Sequence, residues 1–382
     1  MLFTFIAQNT SIYNNHAVKA CKIPPAKFKT CHLRCSASQQ QQTTQPKKKK
    51  SRFTLELTGD PVPFSPNNQP KAQAHPHKQP PILILPGFGN NSIDYTCPFG
   101  DEDRALATAL KSRGFRVYCL PLERLDWIKV GKMIFSLDFW KTKCTVQQGY
   151  NWYLQSIHNM VEMIQKETGG DCKVDIVAHS AGGWLARAYI AGYTGSNENH
   201  NVLLSSGGQG NARAIFSSDS YDDANCSDTP TPQPHPAIRA LVTLGTPHSP
   251  PLAGTIKDRT GGALTWLDTT FPGAFFKDQG VRYISVGGSF ITGNKDQEKF
   301  KTLAGYAHDS YYEVCGQGQG VDGDAIVPLC SALLDGANEQ VVLPGVVHSM
   351  SRIGNFEEAG EWPWYGDDEV VDSWLKYLVV DG

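Results

Sequence analysis

The apolar and polar positions of this 382-residue chain change texture near Pro81. Beyond it, short apolar runs bounded by Gly and Pro alternate with stretches of helical period. The runs at 81–89 (PILILPGFG), 115–122 (FRVYCLPL), 172–180 (CKVDIVAHS), 237–247 (AIRALVTLGTP), 281–288 (VRYISVGG) and 339–346 (EQVVLPGV) read as strands. Stretches 101–114, 149–170, 181–193 and 368–379 repeat apolar residues every three or four positions and read as helices, the second with a Gly-Gly stop. Strands apolar on both faces are buried on both faces. The alternation therefore predicts an α/β fold, a mostly parallel sheet with helices on both sides. Residues 81–382 have the size of one large domain.

Two stretches break the rhythm. Residues 196–236 are rich in Ser, Gly, Asn and Pro without period and read as a polar surface insertion. Residues 125–140 (LDWIKVGKMIFSLDFW) crowd Trp127, Ile128, Met133, Ile134, Phe135, Phe139 and Trp140 together. Such a composition fits a small cap over an apolar pocket, and it also fits an excursion that only packs.

Before Pro81 nothing could bury a core. Residues 1–55 hold no Asp or Glu, while Lys and Arg recur from Lys19 to Arg52. Basic, hydroxylated, acid-free composition is that of an organelle transit peptide, and HLRCSAS around Cys35 resembles the end of a chloroplast one. A mitochondrial address and a plain disordered basic arm are the alternatives. Residues 1–50 are thus expected to be a transit peptide and basic segment, and 51–80, dense in Pro, Gln and Asn, a linker. His75 and His77 fall in that linker and read as linker residues rather than a metal pair.

Charge and cysteine usage narrow the class. A formal net charge of −2 leaves no nucleic-acid footprint. No apolar run approaches the ~18 residues that cross a bilayer, although peripheral contact with a membrane stays open. Of ten cysteines, three lie in the expected transit segment and the others are scattered singly without CxxC. Neither a disulfide framework nor a zinc site is indicated, and scattered thiols suit a reducing compartment such as the stroma.

The candidate chemistry centres on VDIVAHSAGGW, residues 174–184. It approaches the pattern Gly-x-Ser-x-Gly with Ala178 in the first glycine's place, and by itself it is a weak signal. Its context is stronger: a strand runs in and a helix runs out. Such a bend strains the serine backbone and lifts the hydroxyl to the sheet's C-terminal edge. Small residues are needed on either side because strand and helix approach closely, which Ala178, Gly182 and Gly183 satisfy.

A serine hydroxyl needs a base to take its proton, and the base needs an orienting acid. The required chain order is Ser, acid, His. Asp324 in VDGDAIVPL and His348 in VVLPGVVHSM meet it, both at expected strand ends. Asp322, two residues earlier, is the alternative acid if the loop turns otherwise. His179 adjoins the nucleophile and should point elsewhere, His248 follows the wrong strand and His308 precedes the acid. An oxyanion hole would take the backbone N–H of Ala181 and, after the first strand, that of Phe88 in LPGFGNN.

Taken together, LPGFG, AHSAGG, LGTPHSP, GDAIVP and the late His348 resemble the α/β-hydrolase superfamily. The resemblance is to its lipase and esterase branch, bacterial-type enzymes and their plant plastid relatives, from Pro81 to the C-terminus. It leaves 125–140 and 196–236 unmatched. It implies a Ser-His-Asp carboxyl-ester hydrolase acting on acyl lipids or other apolar esters without a cofactor or metal. Ser180 would attack, His348 would serve as base and Asp324 would orient it. An acyltransferase or a phytyl-ester hydrolase on the same fold, and a non-catalytic module holding an apolar ligand, are the competing expectations.

Overall fold

The structure, a computed structural model, describes residues 64, 79–195, 231–298, 302–349 and 362–379, all within the compact unit Leu55–Gly382. The expected transit segment, most of the expected linker and residues 196–230 of the polar insertion lie outside the described residues.

Six described strands form one sheet in the order β2-β1-β3-β4-β5-β8, and every pairing in it is parallel. They are β1 (Ile82–Leu85), β2 (Val117–Cys119), β3 (Val174–His179), β4 (Ile238–Leu244), β5 (Arg282–Ser289) and β8 (Glu339–Pro344). β6 (Ile291–Thr292) and β7 (Asp322–Gly323) make a separate antiparallel pair. The helices are α1 (Ile93–Thr96), α2 (Leu106–Lys111), α3 (Leu137–Trp140), α4 (Val146–Thr168), α5 (Ala181–Ile190), α6 (Ala263–Thr270), α7 (Leu303–Cys315), α8 (Leu329–Ala332) and α9 (Asp368–Leu375).

The period of two in a strand divides the apolar residues between two cores. In β1, Ile82 and Ile84 pack with α2, α7 and α9, whereas Leu83 and Leu85 pack with α4, α5 and α6. Helices thus cover both faces, which is why β1 and β3 are apolar nearly throughout and wholly buried. Arg113 fastens α2 to the chain's end: its buried guanidinium pairs with Asp368 and Asp372 of α9, each at 2.6 Å.

Local chemistry sets the helix ends. α4 opens on a capping box between Thr145 and Gln148 and stops at Gly169, whose φ of 106° is left-handed. The expected helix at 101–114 is shorter. The Asp103 N–H bonds the Asp101 side chain at 3.0 Å, a local turn that competes with helix, and α2 begins only at Leu106. Two further departures concern segments read as surface or linker. Phe64 packs against the α2–α7–α9 core. His235, near the end of the polar insertion, stacks on Tyr189 with ring centroids 4.6 Å apart.

Residues 124–140 form a 3₁₀ segment (Arg124–Phe135) followed by α3. Its inner side is docked. Trp127, Val130 and Met133 are buried, and Met133 fills the notch at Gly149 of α4, where a Cβ would lie 1.7 Å from its sulfur. Its outer side exposes Leu125, Ile128, Phe135, Leu137 and Trp140.

Helix α5 lies close on the sheet through two glycines. A Cβ at Gly182 would stand 2.8 Å from the Leu85 carbonyl, and one at Gly183 would stand 2.0 Å from Thr246 Oγ1. Gly183→Ala should therefore lower stability by about 1–3 kcal/mol, read as a reduced urea midpoint at unchanged m-value.

Candidate active site

β3 ends at His179, α5 begins at Ala181, and Ser180 alone makes the turn. Its φ of 52° and ψ of −129° are a conformation that side-chain-bearing residues rarely adopt. The surroundings hold it there. The Ser180 N–H donates to the Leu244 carbonyl of β4 at 2.9 Å, while its own carbonyl accepts from Gly183 N–H at 3.0 Å and Thr246 Oγ1 at 2.8 Å. The hydroxyl is thereby presented at the C-terminal edge of the sheet.

Two loops bring the partners. His348 follows β8, and its Nε2 lies 3.0 Å from Ser180 Oγ. Asp324 follows β7, and its Oδ2 lies 2.8 Å from His348 Nδ1. Since a carboxylate only accepts, His348 donates from Nδ1 and leaves Nε2 to receive the serine hydrogen. The backbones are tied as well, His348 N–H to the Asp324 carbonyl at 3.0 Å.

Asp324 is fully buried, and an isolated buried carboxylate would be costly. Its second oxygen accepts from the N–H groups of Ile326 at 3.0 Å and Val327 at 2.7 Å. Oδ2 takes a further hydrogen from Tyr365 at 2.7 Å. Burial, and then the Asp324 charge, push the Tyr365 phenol well above its ordinary range, so it remains a donor. The alternative acid is elsewhere: Asp322 is exposed and bonds Thr292 Oγ1 in the small β6–β7 pair.

The other histidines separate cleanly. His308 pairs with Asp309 at 2.8 Å. His248 contacts Thr243 at 3.0 Å, and its carbonyl accepts from Arg187 at 3.1 Å. His179 is bonded to Tyr95 and to the His348 backbone, with its ring centroid 4.7 Å from that of His348. It, Tyr95 and Tyr365 were not singled out from the sequence as site residues. For His179 a signal existed, because a polar ring on a wholly buried strand must have partners. The tyrosines stand in no motif.

The loop after β1 lies against this centre. A Cβ on Gly87 would come within 2.7 Å of Ser180 Cβ, and the next residue, Phe88, sets its ring 4.9 Å from that of Trp127. Ala181 is the first residue of α5, where N–H groups have no intrahelical acceptor and the helix dipole favours negative charge. Ala181 thus adjoins Ser180 in the chain, and Gly87, the residue before Phe88, packs against it. Among the described residues no group of three or more His, Cys, Asp or Glu is gathered as a metal ion would need.

Residues 131–209, which include β3, Ser180 and α5, match the family described as Lipase (class 2). No curated protein matches the sequence. Among solved structures, the mature form of a Bacillus licheniformis lipase is similar at 16% identity and a TM-score of 0.38, over 82% of this chain and 96% of that one. A metagenomic carboxyl esterase is similar at 12% identity and a TM-score of 0.42, over 87% of this chain and 85% of the other. The parallel sheet with helices on both faces gives this chain an α/β fold, and its segment bearing the strained turn at Ser180 is similar to the class 2 lipases.

Proposed function

We propose that the protein is a serine hydrolase of carboxyl esters with apolar acyl groups. The observation that carries this reading is the unbroken hydrogen-bonded chain from Asp324 through His348 to Ser180, at a turn that projects the serine.

In the proposed reaction Ser180 Oγ attacks the ester carbonyl while His348 Nε2 takes its proton. The imidazolium that forms faces the buried, compensated Asp324 carboxylate. Negative charge on the former carbonyl oxygen would be met by the N–H groups of Phe88 and Ala181. Collapse breaks the ester C–O bond, His348 protonates the departing alcohol, and an acyl-serine remains. Water, deprotonated by His348, then releases the acid. No step needs a cofactor.

Apolar substrate is supported by the docked excursion beside the oxyanion loop. Its outer side carries Leu125, Ile128, Phe135, Leu137 and Trp140, with Lys132 among them, Lys141 and Lys143 just after the segment, and Lys129 paired with Asp126 at 2.8 Å. Such a face suits substrate drawn from a lipid surface with anionic head groups. Plastid membership rests on the N-terminal composition alone. It predicts that residues 1–50 fused to a fluorescent protein direct it to plastids; mitochondrial or cytosolic fluorescence would remove that part of the proposal.

The test is hydrolysis of p-nitrophenyl esters of increasing chain length by the full chain. Ser180→Ala should lower kcat by about 10⁴-fold or more. Equal rates for wild type and this variant would end the reading. Asp324→Asn should cost kcat about 10⁴-fold by presenting the wrong imidazole tautomer. Asp322→Asn, away from the base, should stay within about twofold, since surface changes remote from the chemistry do little.

A further inference from the structure

The loop after β1 is held peptide by peptide. In the Pro86–Gly87 peptide, the carbonyl accepts from Tyr153 O–H at 2.6 Å and the N–H donates to Tyr95 Oη at 3.0 Å. In the next peptide the Gly87 carbonyl accepts from Asn90 N–H at 3.1 Å. A trans peptide directs its N–H opposite its carbonyl, so fixing the Gly87 carbonyl also fixes the direction of the Phe88 N–H.

Tyr95 is fully buried, and its oxygen has two more partners, Asn90 Nδ2 at 2.7 Å and His179 Nδ1 at 2.7 Å. The far nitrogen of that imidazole, Nε2, lies 2.8 Å from the His348 carbonyl. The hydrogens can be placed. A carbonyl only accepts, so His179 Nε2 carries hydrogen and, in a neutral ring, Nδ1 does not. Tyr95 O–H must then donate to Nδ1, and its lone pairs receive Gly87 N–H and Asn90 Nδ2. A cationic His179 would thrust a third donor at the same oxygen and leave the phenol hydrogen without an acceptor. Burial, and next the neighbouring His348, hold His179 well below the ordinary histidine range, which keeps it neutral.

We propose that Tyr95 and His179 are positioning residues of this site, one neutral relay that aims the oxyanion loop at one end and anchors the backbone of His348 at the other. Neither touches the reacting atoms. The relay couples donors that would stabilise the transition state to the base that forms the nucleophile, and it rests on Ser180 being that nucleophile. Gly87 marks the contact, since a Cβ there would also lie 3.0 Å from His179 Nδ1.

Two measurements on the full-length protein test it. With ¹⁵N-histidine labelling, the His179 resonance, assigned by its loss in His179→Phe, should report hydrogen on Nε2 and none on Nδ1 at neutral pH. An Nδ1–H tautomer overturns the relay. In p-nitrophenyl ester kinetics, Tyr95→Phe keeps the ring and removes the hydroxyl. It should lower kcat about 10- to 100-fold, as sub-ångström misorientation of a site does, with KM within about twofold. The double variant Tyr95→Phe/His179→Phe should lose no more than the worse single, because members of one relay are not additive. Should His179→Phe not fold, His179→Gln takes its place in both measurements. Wild-type kcat in Tyr95→Phe, a change confined to KM, or multiplicative losses would overturn the positioning role. A wild type that neither cleaves esters nor takes a fluorophosphonate on Ser180 would overturn the hydrolase reading and the positioning role with it. The tautomer is read without substrate, so the two failures look different.

Discussion

Ser180 is held at a φ of 52°, and much of the molecule is arranged around keeping it there. A non-glycine residue in such a region costs about 1–3 kcal/mol and persists only when its surroundings over-determine it. Here β4 supplies the acceptor for its N–H, and Thr246 with Gly183 supplies the donors for its carbonyl. The turn is tight only because α5 can approach the sheet, and that approach needs Gly182 against the carbonyls of Leu85 and Pro86 and Gly183 against Thr246. Relaxing the serine would pull helix from sheet. The strain is therefore shared with two well-packed cores instead of being borne locally.

The second constraint is a buried negative charge. Asp324 is itself fully buried, and its carboxylate is tolerable because both oxygens accept strong hydrogen bonds. One of those donors, Tyr365, comes from far along the chain, and its own carbonyl is fixed by Trp374 Nε1 of α9 at 3.0 Å. α9 is in turn fastened to α2 by Arg113. The acid that orients His348 thus depends on packing of the C-terminal helix. A parallel sheet gathers its strand ends on one edge, and that is where Ser180, Asp324 and His348 converge from three loops.

Much of this was legible in the sequence. Six apolar runs became the six described strands of the main sheet, most plainly at β1 and β3, where burial on both faces leaves a signal that needs no partner to read. The order Ser180, Asp324, His348 could be read from motif and chain order, and the structure brings the three together. What stayed hidden depends on long-range contacts. The choice between Asp322 and Asp324 turns on which side of β7 the loop folds. α6 and α7 were missed: α6 follows a Gly-Gly pair that reads as a turn, and α7 carries Gly305, which packs against the Gln297 carbonyl. Tyr95, Tyr153 and Tyr365 act through single hydroxyls placed by tertiary structure, and nothing in local spacing distinguishes them from core tyrosines.

The apolar stretch at 125–140 shows why composition could not separate a cap from a packed excursion. It is both. Trp127 packs on Trp152 and Tyr153 of α4, while its indole N–H donates to the Asn90 carbonyl at 3.1 Å and its ring meets Phe88. Met133 is seated on Gly149, and Phe139 closes on Gly261. A displacement of the whole segment would therefore break contacts to Asn90 and Phe88 and disturb the loop that borders Ser180. Its outer edge needs no such movement to meet an apolar surface, because Phe135 is already 92% exposed. Apolar side chains on both the docked and the outer side leave the segment no clean helical period, and a 3₁₀ backbone with three residues per turn blurs it further. The physical role of the stretch is therefore set by which side chains find α4, a property of the fold and not of the residues alone.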